Sequence, residues 1–148
     1  MNLREWYERE QANATGIRHL TPEEANRYLD LLQVPFDQNV KLIEIGYADG
    51  SFLEQAMKRV SCVGVSDNPE HYKAASQRLG EFGPGILLDN TLEEMRSYPE
   101  KFHFLFMIGA VPNPTQWQVI QILLHRGGRY CIVDRSATFI TGIREPIQ

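Results

Sequence analysis

In residues 41–52, KLIEIGYADGSF, the apolar residues Leu42, Ile43 and Ile45 stand among Lys41 and Glu44, and the run stops in a small-residue turn, Gly46 to Gly50. Val40 to Ile45 reads as a strand and Phe52 to Arg59 as a helix, so the turn joins the two. Glycine lets backbone approach a ligand closely, and the helix that follows offers unpaired amide groups. A plain strand-to-helix turn needs no more than this. Here, however, Glu44 stands two positions before the first glycine, and Asp67 follows the next strand. A carboxylate placed there can accept hydrogen bonds from both ribose hydroxyls of an adenosine. The turn therefore reads as a nucleoside site.

Working outward, strand, turn and helix repeat. Cys62 to Val65 is a second strand with Glu70 to Leu79 helical behind it, and Gly83-Pro84-Gly85 marks a turn. Ile86 to Leu88 makes a short third strand, Leu92 to Tyr98 a short helix and Phe102 to Ile108 an apolar fourth strand. Thr115 to Leu124 is a helix ended by Gly127-Gly128, Tyr130 to Val133 a fifth strand, and ATFITGI, residues 137–143, an edge strand. Short apolar strands separated by amphipathic helices imply a doubly wound, mostly parallel α/β sheet covered on both faces, with its ligand crevice beyond the carboxyl ends of the strands. Ahead of it, residues 1–39 read as a helical cap on the 40–148 core. Thr21-Pro22-Glu23-Glu24 is a capping-box helix start, Ala25, Tyr28, Leu29 and Leu32 form one buried stripe, and a further helix is expected around Trp6 and Tyr7.

A chain of 148 residues is the size of one domain. A formal charge of -4 gives no basic footprint for duplex nucleic acid. Cys62 and Cys131, flanked by apolar or β-branched residues, read as reduced core thiols. The charged start MNLREWYERE lacks the apolar run of a signal peptide, and no apolar segment is long enough to span a bilayer. The expectation is a soluble cytoplasmic protein with no membrane partner.

Two nucleoside cofactors compete for the turn. A dinucleotide fold wants G-x-G-x-x-G, which Gly46, Ala48 and Ser51 match poorly. Glu44-x-Gly46-x-Ala48-x-Gly50 instead resembles the E-x-G-x-G-x-G turn of the class I S-adenosylmethionine-dependent methyltransferases, with Ala48 in the middle glycine's place. The resemblance runs from about Ile17 to Ile140 and implies that fold, shortened to five or six strands. In that family "VGVSDNPEHYKAA" is similar to the second motif, with Ser66 where the ribose-binding acid is usual and Asp67 one place later. "LLDNTLEEM" is similar to the third motif, with Asn90 in the adenine-binding place and Asp89 beside it. The resemblance thus implies S-adenosylmethionine held by Glu44, Gly46, Tyr47, Ala48, Gly50, Ser66, Asp67, Asn90 and Ile108, with Asp67 the expected ribose acceptor.

"FHFLFMIGAVPN" and "LLHRGGRYCIVDRS" are most similar to the cation-dependent small-molecule O-methyltransferases. Where that subfamily binds a divalent metal, this chain has Ile108, Asp134 and Arg135; one carboxylate of three ligands remains, and a hard cation wants several oxygens. No metal is therefore expected. His19, His71, His103 and His125 have no ligand-like spacing and read as surface or loop residues, His19 being the one to watch because it precedes the capped helix. Asn113-Pro114 reads as a loop turn, Trp117 as a packing aromatic, and Tyr47 as either packing or pocket lining. The expected activity is methyl transfer to a small-molecule or partner-presented acceptor. The alternative is a cofactor-binding or interaction module without catalysis, and a nicotinamide-binding domain is a third reading. Homodimerisation is compatible with each.

Overall fold

A computed structural model describes residues 2–4, 17–134, 136 and 138–144. The helix expected around Trp6 and Tyr7 lies outside the described residues. Helix α1, Pro22–Leu31, starts as its sequence dictates: Glu24 N donates to Thr21 Oγ1 at 3.2 Å, Thr21 N donates to Glu24 Oε1 at 3.0 Å, and Pro22 occupies the first turn. Then follow β1 (Lys41–Ile45), α2 (Ser51–Ala56), β2 (Ser61–Val65), α3 (Pro69–Leu79), the single turn α4 (Gly83–Ile86) and β3 (Leu87–Leu88). The second half holds β4 (Phe102–Ile108), α5 (Pro114–Leu123), β5 (Leu124–Val133) and β6 (Phe139–Ile143).

The six strands form one sheet in the order β3-β2-β1-β4-β5-β6, parallel throughout except for β6, which runs antiparallel to β5. The chain winds outward from β1 through β2 to β3, then crosses back to β4 on the other side of β1. Strand order thus reverses between β1 and β4, and the crevice opens beyond their carboxyl ends. Both faces are covered, which explains why β4 is apolar at successive positions rather than at alternate ones. Phe104 and Phe106 face the α1–α2–α3 layer with Leu29, Phe52, Leu53 and Cys131, whereas Leu105 and Met107 face the α5 layer with Val119, Ile120 and Leu123. Strand β1 divides the same way, with Leu42 in the first layer and Ile43 and Ile45 in the second.

Some boundaries differ from expectation. The short helix expected at Leu92 to Tyr98 is a 3-10 helix, Glu93–Ser97. Helix α2 stops at Ala56, and a turn carries the chain through Arg59. Helix α5 is not ended by the glycine pair: it passes straight into β5, and Gly127 and Gly128 lie inside that strand, beside a register irregularity against Phe102 and Phe104. Gly127 has φ of +81°, a conformation open to glycine, which lets the strand continue through the irregularity. Cys62 and Cys131 are buried and unpaired by disulfides, and burial pushes both thiols up, away from thiolate chemistry. Among the described residues no helix is long and apolar enough to cross a membrane.

Candidate functional site

The turn after β1 is built on left-handed backbone: φ is +74° at Gly46, +51° at Ala48 and +78° at Gly50. Its two glycines serve different ends. A Cβ on Gly50 would meet Ala75 Cβ at 3.1 Å, so this glycine lets the turn pack on α3. A Cβ on Gly46 would meet nothing within 4 Å, so this one faces open space at the strand end. Ala48 holds a conformation that costs an L-residue about 1–2 kcal/mol, in the place where the sequence pattern led us to expect glycine. Gly109, immediately after β4, repeats the arrangement of Gly46 with φ of +98° and open space at its Cβ position. These two strand ends adjoin at the reversal of strand order, which locates the crevice.

Asp49 ties the turn together. Its Oδ1 accepts from Ser51 N at 2.9 Å, its Oδ2 lies 2.6 Å from His19 Nδ1, and Arg78 Nε donates to its carbonyl at 3.0 Å. Burial alone would raise this carboxyl, but the hydrogen bonds from His19 and Ser51 and the charge of Arg78 outweigh it and hold Asp49 below the usual carboxylate range. His19 is therefore not the exposed loop residue expected: its side chain is 2% exposed and bolts the segment before α1 to the turn.

Glu44 is fully buried in the first layer, a lone acid on an apolar face. Arg18 Nη2 donates to its Oε2 at 3.0 Å and to the carbonyl of Gly46 at 3.2 Å. Burial drives the Glu44 carboxyl up to about 7, Arg18 offsetting only part of that push. Half of the pair remains unused: Glu44 Oε1 and Arg18 Nη1 are buried without a hydrogen-bond partner among the described residues. Arg18 was not foreseen from the sequence. It lies 26 positions from Glu44, and no local pattern couples them.

At the end of β2, Ser66 is half-buried and Asp67 exposed. Ser66 Oγ lies 2.9 Å from His71 Nδ1 and accepts from Asn68 N at 3.2 Å. Tyr47 is core: it is 1% exposed, and it fills the space left by Gly64, where a Cβ would lie 3.0 Å from its ring. Burial, with smaller contributions from Asp89 and Tyr72, pushes its phenol up to about 12, and its hydroxyl has no hydrogen-bond partner among the described residues. After β3, Asn90 Nδ2 points to Met95 Sδ at 3.6 Å and Asp89 is exposed.

Ile108 closes β4, half-buried. Asp134, at the end of β5, accepts at Oδ1 from Ser136 N, Ser136 Oγ and Thr138 N at 2.9, 2.9 and 3.0 Å, and these bonds hold its carboxyl low. Its oxygen is committed to the turn that starts β6. Arg135 lies outside the described residues. Among the described residues no group of three acidic, histidine or cysteine side chains is placed to hold a metal ion.

The remaining candidates lie elsewhere. Lys41 N donates to His103 Nδ1 at 3.0 Å, and the His103 and His125 rings pack 4.6 Å apart at the end of the sheet remote from the crevice. Asn113-Pro114 is more than a loop turn: Asn113 caps α5, accepting from Gln116 N at 2.8 Å, and Pro114 is the first residue of that helix. Trp117 packs edge-on against Tyr130, as expected of a packing aromatic.

No protein-family model and no curated protein matches the sequence. Solved structures do match. A precorrin 8w decarboxylase of Methanobacterium thermoautotrophicum superposes with a TM-score of 0.67 at 16% identity, covering 80% of this chain and 66% of that one. A proposed S-adenosyl-L-methionine-dependent methyltransferase of Methanococcus maripaludis gives 0.62 at 14% identity, covering 76% and 54%. The chain has the methyltransferase fold. A proposed sarcosine dimethylglycine methyltransferase of Galdieria sulphuraria adds a TM-score of 0.63 at 16% identity, covering 76% of this chain and 46% of that one. The chain spans about half the length of most of the methyltransferase-fold structures it matches. Identities this low carry the fold and leave the chemistry to the site itself.

Proposed function

We propose that the crevice binds S-adenosylmethionine and that the protein transfers its methyl group to a small-molecule or partner-presented acceptor. One observation carries this reading. Glu44 Oε1 and Arg18 Nη1, buried and lacking a hydrogen-bond partner among the described residues, stand beside Gly46, whose Cβ position is open. Leaving a buried polar group unsatisfied costs about 1–3 kcal/mol, so a ligand that satisfies both atoms recovers that cost as affinity. An α-amino acid moiety fits the pair, its ammonium meeting the carboxylate and its carboxylate meeting the guanidinium. Gly46 leaves room for the attached nucleoside to run over the turn toward Ser66 and Asn90.

Once bound, the cofactor supplies an electrophilic methyl group on a sulfonium centre. The chain's own residues bind and orient it and exclude water; the half-buried apolar end of β4 at Ile108 borders the space an acceptor would enter. We infer that no divalent metal takes part, because Ile108 offers no oxygen and Asp134 Oδ1 is committed to its turn, so a hard cation would find too few oxygens here. Deprotonation of a hydroxyl acceptor then falls to a side chain or to the acceptor's own acidity.

A second reading, a cofactor-binding module without turnover, is favoured by Ala48, Ser66 and Ile108, which depart from the pattern of the resembled family. Calorimetry with S-adenosylmethionine and S-adenosylhomocysteine tests binding, and mass spectrometry for S-adenosylhomocysteine released with hydroxyl and amine acceptors tests turnover. Failure to bind either compound sinks both readings; binding without product for any acceptor selects the second.

A further inference from the structure

The resembled family pattern puts an acidic residue at the end of β2, and here that position is Ser66. Asp67, one place on, is exposed, whereas Ser66 sits half-buried in a hydrogen-bonded arrangement of its own. Its hydroxyl has one proton and two lone pairs. One lone pair receives Asn68 N at 3.2 Å. His71 Nδ1, one turn into α3, lies 2.9 Å away on another side. With a neutral imidazole protonated on Nε2, the serine proton goes to Nδ1, and one lone pair of Oγ is left for a ligand. An oxygen in that state can only accept, as a carboxylate oxygen does.

We propose that Ser66 and His71 together replace the missing acid as the ribose acceptor, with Ser66 touching the ribose and His71 as the positioning residue that fixes its hydroxyl proton. This assignment rests on the cofactor reading above and names the group that recognises the nucleoside. It carries a switch. An imidazolium would donate from Nδ1 to Oγ along the same contact and turn the serine proton out of it, so Ser66 would lose its free acceptor and have only a proton to offer. Groups around His71 place that event below neutral pH: burial, then the charge of Arg18, hold the imidazole below its ordinary value, while Asp67 and Asp49 pull in the opposite direction. The Tyr47 ring stands edge-on to His71, with ring centres 6.3 Å apart.

Calorimetric titration with S-adenosylhomocysteine and with adenosine, from pH 5 to pH 8, tests the assignment. Adenosine lacks the amino acid moiety and so makes none of the direct contacts with Glu44 that the proposed function assigns to that moiety. Ser66→Ala is expected to weaken both ligands by about two- to tenfold at pH 7.5, the range of one neutral hydrogen bond, and Asp67→Asn by less than about twofold. The wild-type affinity for adenosine should fall as pH drops through the His71 titration, and Ser66→Ala should abolish that fall. His71→Ala should weaken binding and flatten the pH profile. His71→Asn, whose Oδ1 can accept the serine proton near the place of Nδ1, should restore affinity without restoring pH dependence. A merely structural histidine would not separate these two variants. A tenfold loss in Asp67→Asn with Ser66→Ala unaffected, or a His71→Ala protein with wild-type affinity and slope, overturns the proposal while the cofactor reading stands. If neither ligand binds the wild-type protein, the cofactor reading falls and takes the proposal with it.

Discussion

The two glycines of the β1 turn look alike in sequence and differ in what they face. Gly46 leaves its Cβ position empty, and Gly50 leaves its position to Ala75. Gly46→Leu should therefore keep the fold, at a cost of about 1–2 kcal/mol for its left-handed backbone, yet abolish binding of S-adenosylhomocysteine. Circular dichroism together with calorimetry checks both halves, and unchanged affinity would refute the placement of the ligand. That Glu44, Gly46 and Gly50 belong to one strand end and its turn was legible in the sequence because they share one short segment. Arg18 and His19 were not: their partners Glu44 and Asp49 lie 26 and 30 residues away, and a side chain that closes a long loop leaves no periodic trace. The proposed metal independence also rests on single residues. Turnover, or cofactor binding where no acceptor is known, should be the same in excess chelator as with added magnesium or manganese. A rate restored by metal would revive the cation-dependent chemistry that Ile108 argues against.

Elements were read from the sequence where one physical signal governed them. Strand β4 was found with its boundaries intact because both of its faces are covered and its apolar run is unbroken. The junction of α5 and β5 was misplaced because Gly127-Gly128 is a helix-stop signal, and here the same backbone freedom serves a strand irregularity instead. Packing between elements also has a glycine at its tightest point. A Cβ on Gly64 would lie 2.7 Å from Leu53 Cδ1, 3.0 Å from Tyr47 Cδ2 and 3.1 Å from Leu87 Cδ2, so α2, the β1 turn and β3 all converge on β2 there. Gly64→Ala should destabilise the protein by about 1–3 kcal/mol, as overpacking does. Urea titration measures it, and a wild-type midpoint would mean that these three side chains relax freely.

For the whole molecule, the buried Glu44 makes stability depend on pH in an unusual direction. Its folded carboxyl titrates at about 7 against an ordinary value of 4.5, so between those limits the folded chain binds more protons than the unfolded one. Stability from this group is complete below about pH 4.5 and is lost as pH rises through 7, by at most about 3 kcal/mol. His71, held low, slopes the other way in the upper acid range, so the Glu44 contribution is read as the difference between wild type and Glu44→Gln. That difference should shrink from pH 5 to pH 8, with the wild type losing ground, and a flat difference would show that Glu44 stays ionised. The order of the sheet has a kinetic counterpart. Strands β1 and β4 are each flanked by paired strands and closed over by both apolar layers, whereas β3 is two residues long and β6 is an outer strand with Phe139, Ile140 and Ile143 exposed. In deuterated water the amides of Leu42 to Ile45 and Phe104 to Met107 should exchange only through global unfolding, and those of β6 and β3 through cheap local openings. That outcome would set the crevice on the slowest-opening strands, so that a ligand bound there would meet a backbone already rigid before it arrives.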